Sequence, residues 1–202
     1  MFSFRIGHIT VDVTLLIAIL LAALLVACFR AVLLRRNSRA LVASCQTGDY
    51  RRAIAIAGQL LKAYQRSARL FRTRGVRETI DRLRVLLAVS YLGLSDVGRF
   101  WSTIRHAGEL PEKQFWIAVC ACLQGDTETA REAKAGIPVG SLTQTSVRFL
   151  EGVLMAKEGN PTGAKELLRP ILPELKFVLL RDIAREIVAE SGDSGGVQQP
   201  CI

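Results

Sequence analysis

One pattern decides the expected fold, and it occurs as GDYRRA at residues 48–53, GDTETA at residues 125–130 and GNPTGA at residues 159–164. Each copy starts with Gly, continues with Asp or Asn, and ends with Ala. Gly accepts the left-handed backbone that terminates a helix, and Asp or Asn caps the helix that follows. The small Ala lets the second helix approach the first closely. The pattern therefore predicts tight turns between antiparallel helices.

A fourth, weaker turn is expected at Ser95-Asp96-Val97, which lacks the Gly and has Phe100 where Ala is expected. The four turns are separated by 47, 30 and 34 residues. A repeat near 34 residues indicates stacked helical units. The chain between residues 38 and 190 is rich in helix-forming residues and shows no run of alternating apolar and polar residues typical of a strand. The expected fold class is all-α.

These segments resemble the tetratricopeptide repeat (TPR) family, whose unit is a helix, a tight turn and a second antiparallel helix. Small residues stand at the matching places of three first helices, at Ala88, Ala118 and Gly152. Pro111 and Pro138 close two units, as the terminal proline of the family does. The resemblance implies that residues 37–190 form a TPR-like stack of antiparallel helix pairs.

The family also implies where a partner binds. In such stacks the first helices line a concave groove that holds a helix or peptide of another protein. Arg84, Gln114 and Arg148 are the candidate groove residues on this reading. Residues 173–190 carry a one-sided apolar stripe, which resembles the capping helix that covers the last hydrophobic face.

Residues 13–29 read VTLLIAILLAALLVACF and contain no charge. A helix needs about 20 largely apolar residues to cross a bilayer, and the apolar character continues to residue 34. Residues 1–36 are therefore predicted to be a single-pass transmembrane anchor with short flanks, ending at a break at Asn37-Ser38. Basic residues cluster after the run, which predicts an outside N-terminus and a cytoplasmic repeat domain on the cell membrane.

Two other interpretations of this segment stay open. One is a cleaved secretory signal. The other is an exported lipoprotein, because Leu25-Val26-Ala27-Cys28 resembles the bacterial lipobox, in which the cysteine is lipidated. Cys28 is thus an alternative lipidation site. The largely apolar residues 29–34, which include Arg30, and the following Arg35-Arg36 oppose export.

Residues 66–84 are unusually basic in a chain of net charge +9, which keeps +6 after removal of its first 36 residues. One interpretation is a solubilising face; others are contact with anionic lipid or with an acidic partner. Binding of nucleic acid by this basic segment is a weaker alternative, because few aromatic residues are available for stacking. The candidate contact residues are Arg66, Arg69, Arg72, Arg74 and Arg77.

No catalytic motif stands out. The two histidines, His8 and His106, lie far apart in sequence, and neither a phosphate-binding loop nor a zinc-ligand spacing among the five cysteines occurs. The chain is expected to be no enzyme and to hold no cofactor or metal. Residues 191–202 are expected to be disordered. The sequence therefore predicts a membrane-anchored scaffold or adaptor that binds other proteins.

Overall fold

The computed structural model describes residues 3–6, 9–70 and 73–190. The predicted disordered tail at residues 191–202 and the candidate contact residue Arg72 lie outside this part. The chain divides into two compact units, Met1–Arg39 and Ala40–Ile202.

Helices dominate both units, which confirms the predicted all-α class apart from one short hairpin. In chain order the elements of the described residues are β1 Ser3–Ile6, β2 Ile9–Asp12, α1 Val13–Thr47, α2 Tyr50–Leu70, α3 Arg74–Gly93, α4 Val97–Ile104, α5 Pro111–Gln124, α6 Thr127–Ala135, α7 Gln144–Lys157, α8 Pro161–Ile171, a 3-10 turn Leu172–Glu174, and α9 Val178–Glu190.

The first unit contains the hairpin and most of α1. Strands β1 and β2 pair antiparallel, with Ser3 opposite Asp12 and Ile6 opposite Ile9. Large apolar side chains of α1 are exposed, Leu25 at 70%. Within the described residues, however, none of the helices combines the length and the apolarity that crossing a bilayer requires. The predicted transmembrane helix therefore receives no support from the structure.

The predicted break at Asn37-Ser38 is wrong, because α1 continues through it to Thr47. Ser38 Oγ donates a hydrogen bond to the Leu34 carbonyl at 2.9 Å. A serine whose hydroxyl bonds one turn back is compatible with a helix interior. Helix α3 starts at Arg74 and is capped by Thr73, whose Oγ1 accepts a hydrogen bond from the Val76 amide.

The described part of the second unit contains four helix–turn–helix units, which we call hairpins: the end of α1 with α2, α3 with α4, α5 with α6, and α7 with α8. We call the leading member of each pair the first helix. All four predicted turns are confirmed, because each has a residue of positive φ: Gly48 at 80°, Ser95 at 60°, Gly125 at 79° and Gly159 at 84°.

The residue after each turn caps the second helix, as predicted. Its side-chain oxygen accepts a hydrogen bond from the backbone amide three residues on, at 3.0–3.2 Å. These bonds satisfy amides that a helix start leaves unpaired. The four capping residues are Asp49, Asp96, Asp126 and Asn160.

Small residues bring the helices of a hairpin together. A Cβ added at Gly152 in α7 would lie 2.6 Å from Leu168 Cγ in α8, well inside van der Waals contact. The alanines at matching positions of this and the other hairpins are completely buried. They are Ala53, Ala88, Ala118, Ala130 and Ala164. In the second hairpin Phe100 replaces the expected Ala; it is also fully buried and makes an edge contact with Trp101.

Helix α9 starts at Val178, later than predicted, because the 3-10 turn and residues 175–177 precede it. It packs on α8 and α7 through Leu180, Ile183 and Ala184, which are buried. It also reaches the first hairpin, since a Cβ at Gly48 would lie 3.6 Å from Val178 Cγ1. The C-terminal helix therefore contacts both the last pair of helices and the first turn.

The close approach in the fourth hairpin gives a stability test. Gly152→Ala should lower the free energy of unfolding by about 1–3 kcal/mol, because the new methyl overlaps Leu168 in a packed core. The control Gly58→Ala lies in α2, where a Cβ meets nothing within 4 Å. It should raise stability by about 0.5–1 kcal/mol, because Ala is the better helix former. Urea unfolding followed by circular dichroism measures both; equal effects would contradict this packing.

The turn at Ser95 gives a second test. A non-glycine residue in the left-handed region costs roughly 1–2 kcal/mol. Ser95→Gly should therefore raise the unfolding free energy by up to about 1 kcal/mol, while Gly125→Ala should lower it by about as much. Thermal unfolding of both variants checks the opposite signs, and a destabilised Ser95→Gly protein would refute the left-handed conformation at this turn.

Candidate functional site

A cavity of about 260 Å³ lies among first helices α3, α5 and α7 and the start of α9. Its walls are apolar and partly aromatic. They are formed by Val85, Leu86, Phe115, Trp116, Leu142, Phe177 and Leu180. Three of the four hairpins contribute to it through their first helices, so it exists only because the hairpins stack.

Aromatic contacts fix the wall of this cavity. The rings of Phe115 and Trp116 meet edge-on with centroids 5.3 Å apart. Trp116 makes a second edge contact, at 5.6 Å, with Phe177, which precedes α9. Both Phe115 and Trp116 are 5% exposed, whereas Phe177 is half-buried. The segment before α9 thus forms one side of the cavity and leaves room beside it.

The rim carries one cation, one carboxylate and one hydroxyl, from Arg82, Glu112 and Ser146. Arg82 is exposed, and Glu112 lies in the first turn of α5, where a negative charge is favoured by the helix dipole. Ser146 Oγ shares a hydrogen bond of 2.9 Å with Thr143 Oγ1 at the start of α7. An apolar cavity with a polar rim is the general form of a site that receives an apolar side chain.

Arg84 and Gln114, two candidate groove residues, instead hold the loop between α4 and α5. Arg84 Nη1 donates to the His106 carbonyl at 2.6 Å and to Asp81 Oδ1 at 3.2 Å. Gln114 Nε2 donates to Glu109 Oε2 at 3.2 Å. A hydrogen bond and the charge of nearby Lys113 lower the pKa of the Glu109 carboxyl.

Arg148 is exposed on α7 and does not line the cavity. Each of the three predicted residues lies two positions after a rim residue on the same helix. Two positions correspond to about 200° around a helix, so the side chains leave on nearly opposite sides. The predicted groove residues therefore lie on the helices that line the cavity but on the opposite side of each helix, because nothing in the sequence fixed the rotation of the helices about their axes.

The predicted basic cluster is exposed where the structure describes it, at Arg66, Arg74 and Arg77. Arg74 Nε forms an ion pair with Glu78 at 2.9 Å. Arg69 lies in α2, but its side chain lies outside the described part, as does the whole of Arg72.

Among the described residues the cysteine thiols are free. Burial raises the pKa of Cys120 and of Cys122 to about 11, so both are neutral thiols at physiological pH. Such thiols are poor nucleophiles and poor metal ligands. Cys28, the alternative lipidation site, is exposed on α1. No group of three potential metal ligands occurs in the part of the chain that the structure describes.

A larger and more open cavity of about 590 Å³ lies between α6 and α7. Ion pairs border it, Lys134 with Glu151 at 3.0 Å and Arg131 with Glu158 at 2.8 Å. Both pairs are substantially exposed to solvent and therefore contribute little to stability. This charged, open surface is less suited to an apolar ligand than the cavity beside Trp116.

Comparisons of the chain with protein-family models, with curated proteins and with solved structures find no match. The resemblance to the TPR family therefore stays a prediction that rests on the positions of turns and small residues.

Proposed function

We propose that this protein is a membrane-anchored, TPR-like scaffold or adaptor that binds a helix or peptide of another protein. The repeat domain lies at the cytoplasmic face of the cell membrane and the N-terminus lies outside. The protein acts by binding and not by catalysis, and it needs no cofactor.

The apolar cavity among the first helices carries this proposal. Pockets for small ligands measure about 300–1,000 Å³, so a cavity of about 260 Å³ is small for a cofactor. It suits one apolar anchor side chain of a protein partner, and such buried anchors supply most of the energy of an interface. Arg82 and Glu112 on its rim offer opposite charges that would orient the partner.

The sequence supports the anchor, because residues 13–29 carry no charge and the described large apolar residues within this run are exposed. Arginines at positions 30, 35, 36 and 39 favour a cytoplasmic C-terminal side. An anchored scaffold confines its partner to the membrane surface and raises its effective concentration.

Filling the cavity tests the interaction. Ser146→Trp places a large ring beside Trp116, whereas Ser102→Trp adds the same ring on the exposed side of α4. Proteins recovered with the full chain in mild detergent should be quantified for both variants. Specific partners should fall about tenfold or more with Ser146→Trp only, because an anchor residue contributes about 2 kcal/mol or more.

The rim can be tested separately by charge reversal, with Arg82→Glu compared with Arg105→Glu, an exposed position away from the cavity. Partner recovery should drop for Arg82→Glu alone. Unchanged recovery for both cavity variants, with normal folding by circular dichroism, would exclude the cavity as the partner site. Loss on substitution of Arg84, Gln114 and Arg148 instead would place the groove on the opposite side of the first helices.

Anchoring is tested by extraction and topology. The full chain should resist alkaline carbonate extraction. A reporter enzyme that folds only in the cytoplasm should be active when it is fused after Ile202. Leu20→Arg with Leu24→Arg should release the protein, since each arginine at the centre of a span costs about 2.5–3.5 kcal/mol. Cys28→Ser should change neither the extraction nor the topology.

Mass spectrometry of the N-terminus tests the lipoprotein alternative. A lipidated Cys28 would establish an exported lipoprotein and overturn the cytoplasmic assignment. If carbonate extracts the unsubstituted chain, the proposed transmembrane anchor is wrong.

A further inference from the structure

Positive charge is concentrated in the first third of the chain. Residues 13–77 contain twelve Lys or Arg and one acid, Asp49, whereas residues 78–202 contain fourteen basic and sixteen acidic residues. The excess of positive charge therefore belongs to α1, α2, the segment that joins α2 to α3 and the first turn of α3. The hairpins that follow are close to neutral.

Helix α2 presents its charges on one face. Its buried positions include Tyr50, Ala53, Ala57 and Leu60. At 3.6 residues per turn, its described exposed cations fall within an arc of about 100° on the opposite side. These cations, which we call the α2 basic face, are Arg51, Arg52, Lys62 and Arg66.

Nothing in the described part of the chain neutralises this face. Helix α2 contains no acidic residue, and no ion pair among the described residues includes a member of the α2 basic face. The Asp49 carboxylate accepts a hydrogen bond from the Arg52 backbone amide and thereby caps α2. By contrast, Arg74 pairs with Glu78 and Arg84 pairs with Asp81. A solvated helix face normally mixes both signs, so this face is suited to a polyanion.

We propose that the α2 basic face binds the headgroups of anionic phospholipids in a bilayer. The inference rests on the membrane anchor proposed above: the described large apolar residues of α1 between positions 16 and 33 are exposed, and α2 is the next helix in the chain after α1. An apolar segment combined with a polybasic surface gives stable attachment where either alone is weak. Nucleic acid is disfavoured because binding a strand uses exposed aromatic rings. The described aromatics of α2, Tyr50 and Tyr64, are buried and half-buried.

The experiment measures how close α2 lies to the bilayer. The full chain carries a nitroxide at Gln59→Cys, between the cations of the face, with Cys28 and Cys201 replaced by Ser. It is reconstituted into vesicles of phosphatidylcholine alone or with 30% phosphatidylglycerol. Collisions of the nitroxide with a nickel chelate on lipid headgroups should become severalfold more frequent in the anionic vesicles. High salt should remove the increase, because it screens exposed charges.

Matched variants separate this face from net charge. The combined variant Arg51→Gln, Arg52→Gln, Lys62→Gln and Arg66→Gln should abolish the increase in collision rate. Glutamine at four exposed cations elsewhere, Arg105, Lys157, Arg169 and Lys176, should preserve it. Replacing the three arginines of the face by lysine should also preserve it, because a diffuse lipid surface requires charge and not a bidentate geometry.

Three outcomes would overturn the proposal. The first is a collision rate independent of lipid charge, and the second is an equal loss in both glutamine variants. The third is that RNA binding depends on the α2 basic face whereas the collision rate is the same with and without the face. The result is independent of the partner cavity, because no member of the face lines it.

Discussion

Close contact between antiparallel helices at small residues is the interaction on which this structure depends. Gly152 lets α7 and α8 approach until Leu168 occupies the space where a side chain would be. Fully buried alanines serve the other hairpins in the same way. Helices at this distance bury a continuous apolar seam, but each pair still presents an uncovered face. Stacking the next pair covers that face, so the hairpins stabilise one another.

The turns make this contact possible, and they do so by two independent means. A left-handed residue reverses the chain, and the Asp or Asn that follows pairs an amide at the start of the second helix. Ser95 shows that the geometry of the fold outweighs the local preference of one residue. It adopts φ 60° without being glycine, because the flanking helices α3 and α4 are packed together.

Helix α9 adds long-range contact to a fold otherwise made of contacts between neighbours. It packs on α8, the segment before it brings Phe177 into edge contact with Trp116, and Val178 approaches the turn at Gly48. The 3-10 turn before it is tied to α7 by a hydrogen bond from Thr145 Oγ1 to Glu174 Oε2 of 2.5 Å. The same segment lines the candidate cavity, so the packing of the C-terminal helix and the shape of the cavity are coupled through Phe177 and Leu180.

The sequence by itself determined the helical class, the positions of the four turns, their caps and the small residues between helices, since each depends on residues close together in the chain. The break expected at residue 37 failed because Ser38 can satisfy its hydroxyl within a helix. Only the tertiary structure decided which side chains face the cavity. Rotation of a helix about its axis depends on packing with distant helices. The cavity rim is therefore formed by Arg82, Glu112 and Ser146, each two positions before a predicted groove residue. The contact of α9 with the first turn was likewise decided by the fold, because no local pattern encodes a meeting of the two ends of a stack.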